Sequence, residues 1–437
     1  MKTSLYLRGM FIFFLVSAVM LPLLTLNAQQ AGEREGEFSL ELEIRPRFEL
    51  RNGFKRPINE FSNAAAFTEQ RSRMYLNYTS SDLDVSLSLQ DVRVWGDHNQ
   101  IYKEDPALTN LYEAWGRYRI HPTVAVKAGR QALNYDNARF LGNLDWAQQG
   151  RSHDALLLEY RQPESPWTAH LGFTLNQADI FGPGQLTGRD YPLGNANNKS
   201  MQFLWLNRSA EGSGLSMLFH NDVRQVPDGG PSEMRQTAGL NGFKGLDDIT
   251  LRGELYYQFG KDIAGRDVSA YLLNAELSYQ GRYTLGADWL SGTEVDETDN
   301  NSFTPLYGTN HKFYGFMDYF YVGNPHAQPG NGTSVGLINV YQKYSRSFSD
   351  DWSVGLHVHE FISPAEVFDA EGSSMSSYLG TEADLVLTYR PRADVAFTLG
   401  YSQMFKTDTM DRIKASENSA SYNSWAWVML QFRPTLL

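Results

Sequence analysis

The amino-acid sequence predicts an all-β protein: a transmembrane antiparallel up-and-down β-barrel of about 18 strands, with short turns at one end and long loops at the other. Three observations support this fold class. Apolar and polar residues alternate with a period of two through most of the chain. Short and long connections follow one another in strict alternation. Aromatic residues make up 13% of the chain, yet beyond its N-terminal segment no apolar run is long enough for a membrane-spanning helix.

The chain begins with a segment typical of a secretory signal peptide. Lys2 and Arg8 precede an almost wholly apolar stretch, residues 10–24, and the small Ala28 stands where a signal peptidase would cut. We therefore predict a signal peptide over residues 1–28 and a barrel domain over residues 29–437. A single membrane helix is the alternative for this segment, but its short length and terminal position favour the signal.

Composition and charge exclude several classes of protein. The chain contains no cysteine, so it has neither disulfides nor a thiolate metal site. Its net charge of -12 argues against nucleic acid as a partner. A secreted membrane barrel belongs in the cell outer membrane of a Gram-negative bacterium. The expected partners are outer-membrane lipid and the barrel-assembly machinery, and we expect a monomer.

The clearest predicted strand covers residues 39–51, in which charged and apolar residues occupy opposite faces. A helix would spread these charges around its surface, so the strand interpretation is preferred. A charge on the lipid face at the bilayer midplane costs roughly 2–4 kcal/mol for Arg or Lys. The charged face must therefore line the lumen. Its members are Glu41, Glu43, Arg45, Arg47, Glu49 and Arg51.

The alternation changes phase near Gln90. Apolar residues up to Leu89 share one parity, whereas Asp91 and Arg93 then occupy it. We interpret this change as a β-bulge that returns Asp91 and Arg93 to the lumen. Regular alternation resumes in later segments, residues 251–259, 379–390 and 395–402.

The connections divide into two kinds. Short turns lie at residues 80–82, 121–122, 164–166, 211–213, 245–247, 280–281, 349–350 and 391–392. Long polar stretches lie at residues 52–66, 96–108, 134–150, 178–199, 223–232, 261–266, 293–332, 363–374 and 407–418. Nine loops and eight turns imply about 18 strands, enough to enclose an aqueous channel. A soluble β-sandwich or propeller is the alternative, but its turns would not sort by side.

The last predicted strand, residues 421–432, carries three aromatic residues and would pair with the first strand to close the sheet. Many barrels end on a terminal aromatic residue, whereas this chain continues for five residues beyond Phe432. The terminal signal for barrel assembly is therefore imperfect.

Charged residues of the predicted lumen are the candidates for solute contact. Arginines concentrate in the N-terminal third: Arg45, Arg47, Arg71, Arg73, Arg93, Arg117 and Arg119. Acidic residues are also predicted on the lumen face, both in these strands and in a later one. They are Glu41, Glu43, Asp91, Glu113, Glu382 and Asp384. Guanidinium groups at a constriction would favour anionic solutes, and we expect Arg73, Arg93 and Arg117 to set that preference. The alternative is an ion-pair network that only stiffens the wall.

Two long loops add further candidates. The segment from residue 129 to 154 contains Arg130, Arg139 and Arg151 and is able to fold into the barrel and narrow it, or to pack against the wall. The aromatic stretch of residues 303–320 includes His311 and Asp318, a combination that suits sugar binding or a self-packed loop.

Three segments of the chain together resemble the alginate export family of outer-membrane porins: Gly129 to Arg151, Pro305 to Phe320, and Leu379 to Leu385. The resemblance spans most of the mature chain. It implies an 18-strand barrel with a narrow, arginine-lined pore that loops and turns gate. It also implies an outer-membrane channel that passes hydrophilic, anionic solutes, such as an anionic saccharide or another small solute.

Enzymatic function has little support in the sequence. No Gly-x-Ser-x-Gly elbow, P-loop or His-Glu-x-x-His helix is present. His357 and His359 share a strand face, but no clear third metal ligand accompanies them. We therefore expect no enzyme activity, no metal and no cofactor. Two alternatives stay open: a plugged barrel with a structural or surface-binding role, and a barrel hydrolase with a Ser/His or Asp/His cluster at one rim.

Overall fold

The computed structural model describes residues 36–97, 109–177, 198–225, 232–321, 324, 326–330 and 332–437. The predicted signal peptide, residues 1–28, lies outside the described residues, and so do large parts of three predicted loops, at residues 98–108, 178–197 and 226–231. No helix among the described residues has the length and apolar character needed to cross a membrane.

The described residues form one sheet of 18 antiparallel strands. Their bounds are β1 Glu37–Asn52, β2 Ala65–Thr79, β3 Leu83–Val94, β4 Thr109–His121, β5 Val124–Gln131, β6 His153–Arg161, β7 Trp167–Leu175, β8 Ser200–Ala210, β9 Ser213–Arg224, β10 Glu233–Leu246, β11 Ile249–Lys261, β12 Asp267–Tyr279, β13 Tyr283–Leu290, β14 Leu337–Ser347, β15 Trp352–Ile362, β16 Tyr378–Arg392, β17 Val395–Lys406 and β18 Asn423–Phe432. The loops contain a 3-10 turn, Asn310–Lys312, and a short helix α1, Asp408–Ile413.

The sheet closes on itself. β1 pairs with β2 along one side and with β18 along the other, and each remaining strand pairs with its neighbours in sequence. Closure leaves no open sheet edge, which is the condition for a sheet to span lipid. The predicted fold class, strand number and alternation of turns and loops are confirmed.

Most lipid-facing side chains are apolar, and the polar side chains of the strands lie mainly on the buried lumen face. On β1, Phe48 is 46% exposed, whereas the adjacent Glu49 is fully buried. On β11, Leu255 is 44% exposed and Glu254 only 5%. The period of two places adjacent residues on opposite faces, so the sequence pattern alone sets this partition.

Aromatic residues mark both ends of the lipid-facing surface. At the short-turn end, the rings of Trp352 and Tyr389 stack with their centroids 4.5 Å apart. At the long-loop end, Tyr271 and Trp289 lie 5.9 Å apart. Such pairs form the interfacial belts expected of a membrane barrel.

A bulge is present close to Gln90, as predicted, but it lies on β4 and not on β3. β3 pairs with β2 without a register shift, and Gln90 lies opposite Arg73 on the lumen face. Asp91 therefore lies opposite Ser72 on the outward face, and Arg93 shares that face with it. The register shift occurs instead between β3 and β4, where β4 carries the extra residue. Asp91 and Arg93 consequently leave the lumen, contrary to our expectation.

The five residues after β18 are not assigned to a strand, but they hydrogen-bond to β1 and form one isolated bridge with it. The Leu42 amide donates to the Pro434 carbonyl at 3.1 Å, and the Leu436 amide donates to the Leu40 carbonyl at 2.8 Å. Arg433 pairs with Glu41 at 2.6 Å. The tail thus continues the β1–β18 seam at the short-turn end instead of leaving the barrel at Phe432.

Candidate functional site

Four arginines of β1 and β2 form a ladder in the lumen wall. Alternate residues of both strands face inward, and the antiparallel register sets Arg45 directly opposite Arg71. The arginine ladder consists of Arg45, Arg47, Arg71 and Arg73, which are at most 4% exposed. So many adjacent cations require compensating acceptors, because a buried charge is costly without a partner.

The loop between β5 and β6, residues 132–152, supplies many of those acceptors and is called the constriction loop here. Arg45 donates to the Asp145 carbonyl at 2.9 Å, and Arg47 donates to the Trp146 carbonyl at 3.0 Å. Arg73 reaches the Gln149 carbonyl, also at 3.0 Å. The constriction loop is therefore folded into the barrel against the arginine ladder, one of the two arrangements that the sequence left open.

The Asp145 carboxylate completes this attachment. It lies 3.0 Å from Arg71 and 3.3 Å from Arg73. Burial alone would raise the pKa of Asp145, but the guanidiniums of Arg71 and Arg45 hold it below its usual value. The carboxylate thus stays ionised against the ladder. On the other side of Arg71, Glu43 pairs with it at 2.6 Å.

A second inserted loop, residues 291–336 between β13 and β14, packs on the constriction loop. The Gly142 amide donates to the Tyr307 carbonyl at 2.9 Å, and the Thr309 amide donates to the Ala138 carbonyl at 2.8 Å. The ring of His311 stacks on Trp146 with centroids 4.7 Å apart. Together the two loops bury an apolar cluster inside the barrel, and part of it is Leu133, Phe140, Leu141, Leu306, Met317 and Tyr319.

Arg139 fixes the constriction loop to the opposite wall. Its guanidinium lies 3.0 Å from both Glu254 on β11 and Asp288 on β13. It also lies over the ring of Phe313 in the second inserted loop, 3.9 Å from the centroid. Arg139 is 2% exposed, so removing either acid would leave a poorly compensated buried charge.

A separate charged group lies near the short-turn end. Arg117 pairs with Glu159 at 2.5 Å and with Asp84 at 3.2 Å. Arg119 pairs with the same Asp84 at 2.7 Å. These arginines line the lumen but share two carboxylates, which matches the ion-pair network that we considered as the alternative.

The remaining predicted site residues are dispersed. Glu113 accepts a hydrogen bond from the Ala132 amide at 2.8 Å, at the start of the constriction loop. Arg151 donates to the Gly308 carbonyl at 3.3 Å and so joins the two inserted loops. Arg130 lies on the outward face, opposite Ala114, and pairs with Asp154 at 3.1 Å. Arg130, like Asp91 and Arg93, was predicted to line the lumen, but the strand register places it on the outward face.

Glu382 and Asp384 lie in the lumen wall on β16 and are at most 3% exposed. The Met317 amide of the second inserted loop donates to Glu382 at 2.7 Å. Across the strand pair, His359 lies opposite Glu382 and His357 lies opposite Asp384. The acids are therefore not part of the arginine ladder.

The sequence did not single out the open space above the ladder. A cleft of about 400 Å³ lies at the long-loop end, and its lining includes Arg47, Arg51, Lys55, Glu69, Trp146 and Trp425. We call it the mouth cleft. Arg51 belonged to the charged face of the first predicted strand, but Lys55 and Trp146 lie in loops, where alternation carries no information.

Two cations of the mouth cleft, Arg51 and Lys55, keep free donors, whereas Arg47 is fully bonded. Arg51 donates through Nε to Glu49 at 2.8 Å, and among the described residues its terminal nitrogens have no hydrogen-bond partner. Lys55 lies on aromatic faces, 5.7 Å from the Phe54 centroid and 5.4 Å from that of Tyr321, and has no carboxylate partner in the described part of the chain. Both are therefore able to bind an anion without breaking an ion pair of their own.

A closed 18-strand barrel with loops inserted in its lumen defines an outer-membrane channel protein of the porin type. The family model for alginate export matches residues 37–426. The chain belongs to the alginate export family, and the resemblance seen in the sequence is confirmed. No curated protein sequence matches it.

Solved porin structures share the fold at low sequence identity. OccK9 (OpdG) of Pseudomonas aeruginosa is 13% identical, with a TM-score of 0.59 over 92% of this chain and 99% of its own. OccAB4 of Acinetobacter baumannii is 11% identical, with a TM-score of 0.59 over 92% and 99%. A BenF-like porin from Pseudomonas fluorescens Pf-5 is 13% identical, with a TM-score of 0.58 over the same shares.

Proposed function

We propose that this outer-membrane channel passes hydrophilic anionic solutes, and that the mouth cleft selects them. The observation that supports this proposal is the pair of cations with free donors, Arg51 and Lys55, beside the half-buried indole ring of Trp146. A carboxylate sugar offers an anionic group for the cations and an apolar face for this ring. The proposed solute class is therefore a uronate-type saccharide.

Passage beyond the mouth cleft requires the constriction loop to move. The ladder arginines donate to loop carbonyls and so hold the loop across the lumen. Three non-glycine residues of this loop, Asp136, Ala138 and Leu144, have left-handed backbone torsions. Each costs free energy that surrounding contacts must offset. We propose that the constriction loop is the gate.

The two inserted loops also favour a second candidate, a plugged barrel with a structural or surface-binding role. The apolar cluster that they bury inside the lumen is the observation in its favour. We propose no catalytic role, because His359 and Asp384 are buried in the wall and face no open rim. We further propose that one chain forms one channel, since β1 and β18 close the ring.

Planar-bilayer recordings of the folded protein test these candidates. Under a potassium chloride gradient, a selective channel gives a reversal potential of the sign expected for chloride. Added oligouronate should reduce the current, whereas a neutral oligosaccharide of equal length should not. A cation-selective current would contradict the anion proposal. Absence of current, both in the wild type and after removal of the ladder contacts, would favour the plugged barrel.

A further inference from the structure

Three potential metal ligands meet in the lumen wall between β15 and β16, away from the mouth cleft. His357 and His359 are two residues apart on β15, and the register sets His357 directly opposite Asp384 on β16. Each of the three offers one ligand atom, and these atoms lie within 4.8 Å of one another. The period of the strand places all three side chains on the lumen face.

Four polar atoms of this cluster lack a hydrogen-bond partner of good geometry among the described residues. His359 is 1% exposed and Asp384 is 3% exposed. Among the described residues, neither oxygen of Asp384 nor Nε2 of His359 has a partner of good geometry, and the same holds for Nδ1 of His357. The Ser402 hydroxyl, the Glu382 carboxyl and the Phe316 amide lie near Asp384 without completing such a bond. Buried polar atoms are rarely left unpaired, because losing water without a replacement costs free energy. Unpaired acceptors that converge on one point are what a cation requires.

Neighbouring groups fix the tautomer of His359 in the form that binds metals. Asn339 donates through Nδ2 to Asp288 at 2.9 Å and to the Phe313 carbonyl at 3.1 Å, so its Oδ1 is an acceptor. Oδ1 lies 2.9 Å from Nδ1 of His359, which must therefore carry a hydrogen. In the neutral ring the lone pair is then on Nε2, which lies 4.0 Å from Asp384. An amide that orients a ligating imidazole in this way is typical of the surroundings of metal ligands.

We propose that His357, His359 and Asp384 bind a divalent transition-metal ion of the zinc class. Two imidazoles and a carboxylate form a ligand set that suits Zn²⁺. Bonds of about 2.0–2.2 Å bring ligand atoms closer together than they lie here, so the side chains must rotate inward on binding. Glu382, whose Oε2 is also unpaired, lies two residues from Asp384 on the same lumen face, and Lys343 lies opposite His357.

A route to the cluster exists from the short-turn end. A cavity of about 430 Å³ includes His357, Phe316 and Val386 in its lining and extends to Gly281 and Ser345 near the turns. An ion would therefore enter from the periplasmic side of the lumen. Because the Met317 amide donates to Glu382, the bound ion would also lie beside an attachment point of the second inserted loop. This inference does not depend on the proposed solute.

Titration of the folded, chelator-treated protein with Zn²⁺ and with Co²⁺ tests the proposal. Calorimetry should give one Zn²⁺ per chain. Bound Co²⁺ should show the visible absorption of a site with a low coordination number. His359→Gln and Asp384→Asn should each abolish this stoichiometric binding. Asn339→Ala should weaken Zn²⁺ binding by roughly 10- to 100-fold, because it removes the hydrogen-bond partner that orients His359. His220→Gln, which replaces another fully buried imidazole on β9, should bind as the wild type does.

The wild type alone also provides a test if the variants fail to fold. X-ray absorption of the zinc-loaded protein should show two imidazole ligands and oxygen. Lack of stoichiometric Zn²⁺ binding by the wild type would overturn the proposal and leave Glu382 and Asp384 as acids that share a proton. Binding that persists in a folded His359→Gln/Asp384→Asn protein would place the ion elsewhere and would also overturn it.

Discussion

The arginine ladder and the mouth cleft are neighbouring parts of one wall, yet their cations are used differently. Arg45, Arg71 and Arg73 direct most of their donors to the backbone and the Asp145 carboxylate of the constriction loop. Arg51 and Lys55, a short distance further along the chain, keep donors free of any described partner. The comparison teaches that an arginine in a channel wall indicates anion binding only when its donors are available. We therefore propose that the ladder is structural and that the cleft is the filter.

The largest effect on stability is expected from a substitution in the arginine ladder. Arg71→Ala removes a buried cation that lies between Glu43 and Asp145. Buried Glu43 then loses its ion-pair partner and keeps only hydrogen bonds from neutral groups. We expect the free energy of unfolding to fall by about 3–5 kcal/mol and the constriction loop to detach. Urea titration in lipid vesicles and single-channel conductance measure these two effects. Unchanged stability together with unchanged conductance would show that the ladder does not hold the loop.

The contact between the two inserted loops gives the next largest effect. A Cβ at Gly308 would lie 2.1 Å from the Arg139 carbonyl oxygen, so Gly308→Ala must separate the loops. We expect a loss of about 1–3 kcal/mol and faster protease cleavage within the constriction loop. Gly253→Ala is the matched control, because the nearest atom to its Cβ lies 3.8 Å away. Equal protection of both variants would argue against tight loop packing.

Removing one cleft cation should have a smaller effect, and on binding instead of stability. Lys55→Gln removes an ammonium that has no carboxylate partner among the described residues. We expect the binding free energy of the blocking oligouronate to weaken by about 1 kcal/mol. The concentration needed for half block should therefore rise about fivefold. The unfolding free energy should stay within about 0.5 kcal/mol of the wild-type value. A block of wild-type strength would remove Lys55 from the filter.

The smallest effect is expected on the outward face. Arg93 donates to Asp91 through two nitrogens at 2.7 Å, on the face away from the lumen. Arg93→Gln should therefore leave ion selectivity unchanged and alter stability by at most about 0.5 kcal/mol. A clear loss of anion preference in Arg93→Gln would restore this residue to the lumen and contradict the register of β3.

The barrel was predictable from the sequence because strand alternation acts locally and recurs in many strands along the chain. The error at Asp91 and Arg93 has a physical cause. A bulge on β4 shifts the register of a neighbouring strand, and nothing in the β3 sequence reveals which partner carries the extra residue. The charge of Asp91 and Arg93 also led to the wrong face, because an outward-facing ion pair costs little free energy near the membrane interface.

The candidate site was only partly predictable. The sequence indicated that the loop containing Arg139 and Arg151 was able to fold inward. It gave no indication that carbonyls of residues 145–149 would bind the ladder, because backbone acceptors are present in every loop. Nor did spacing along β15 reveal the cluster of His357 and His359, whose third member, Asp384, lies on β16.

The most direct test of the account is the reversal potential of Arg51→Gln/Lys55→Gln under a potassium chloride gradient, compared with the wild type and with Arg93→Gln. The account predicts that the double variant loses its preference for chloride, while Arg93→Gln retains the wild-type potential. An unchanged potential in a folded, conducting double variant would contradict the assignment of the mouth cleft as the anion filter.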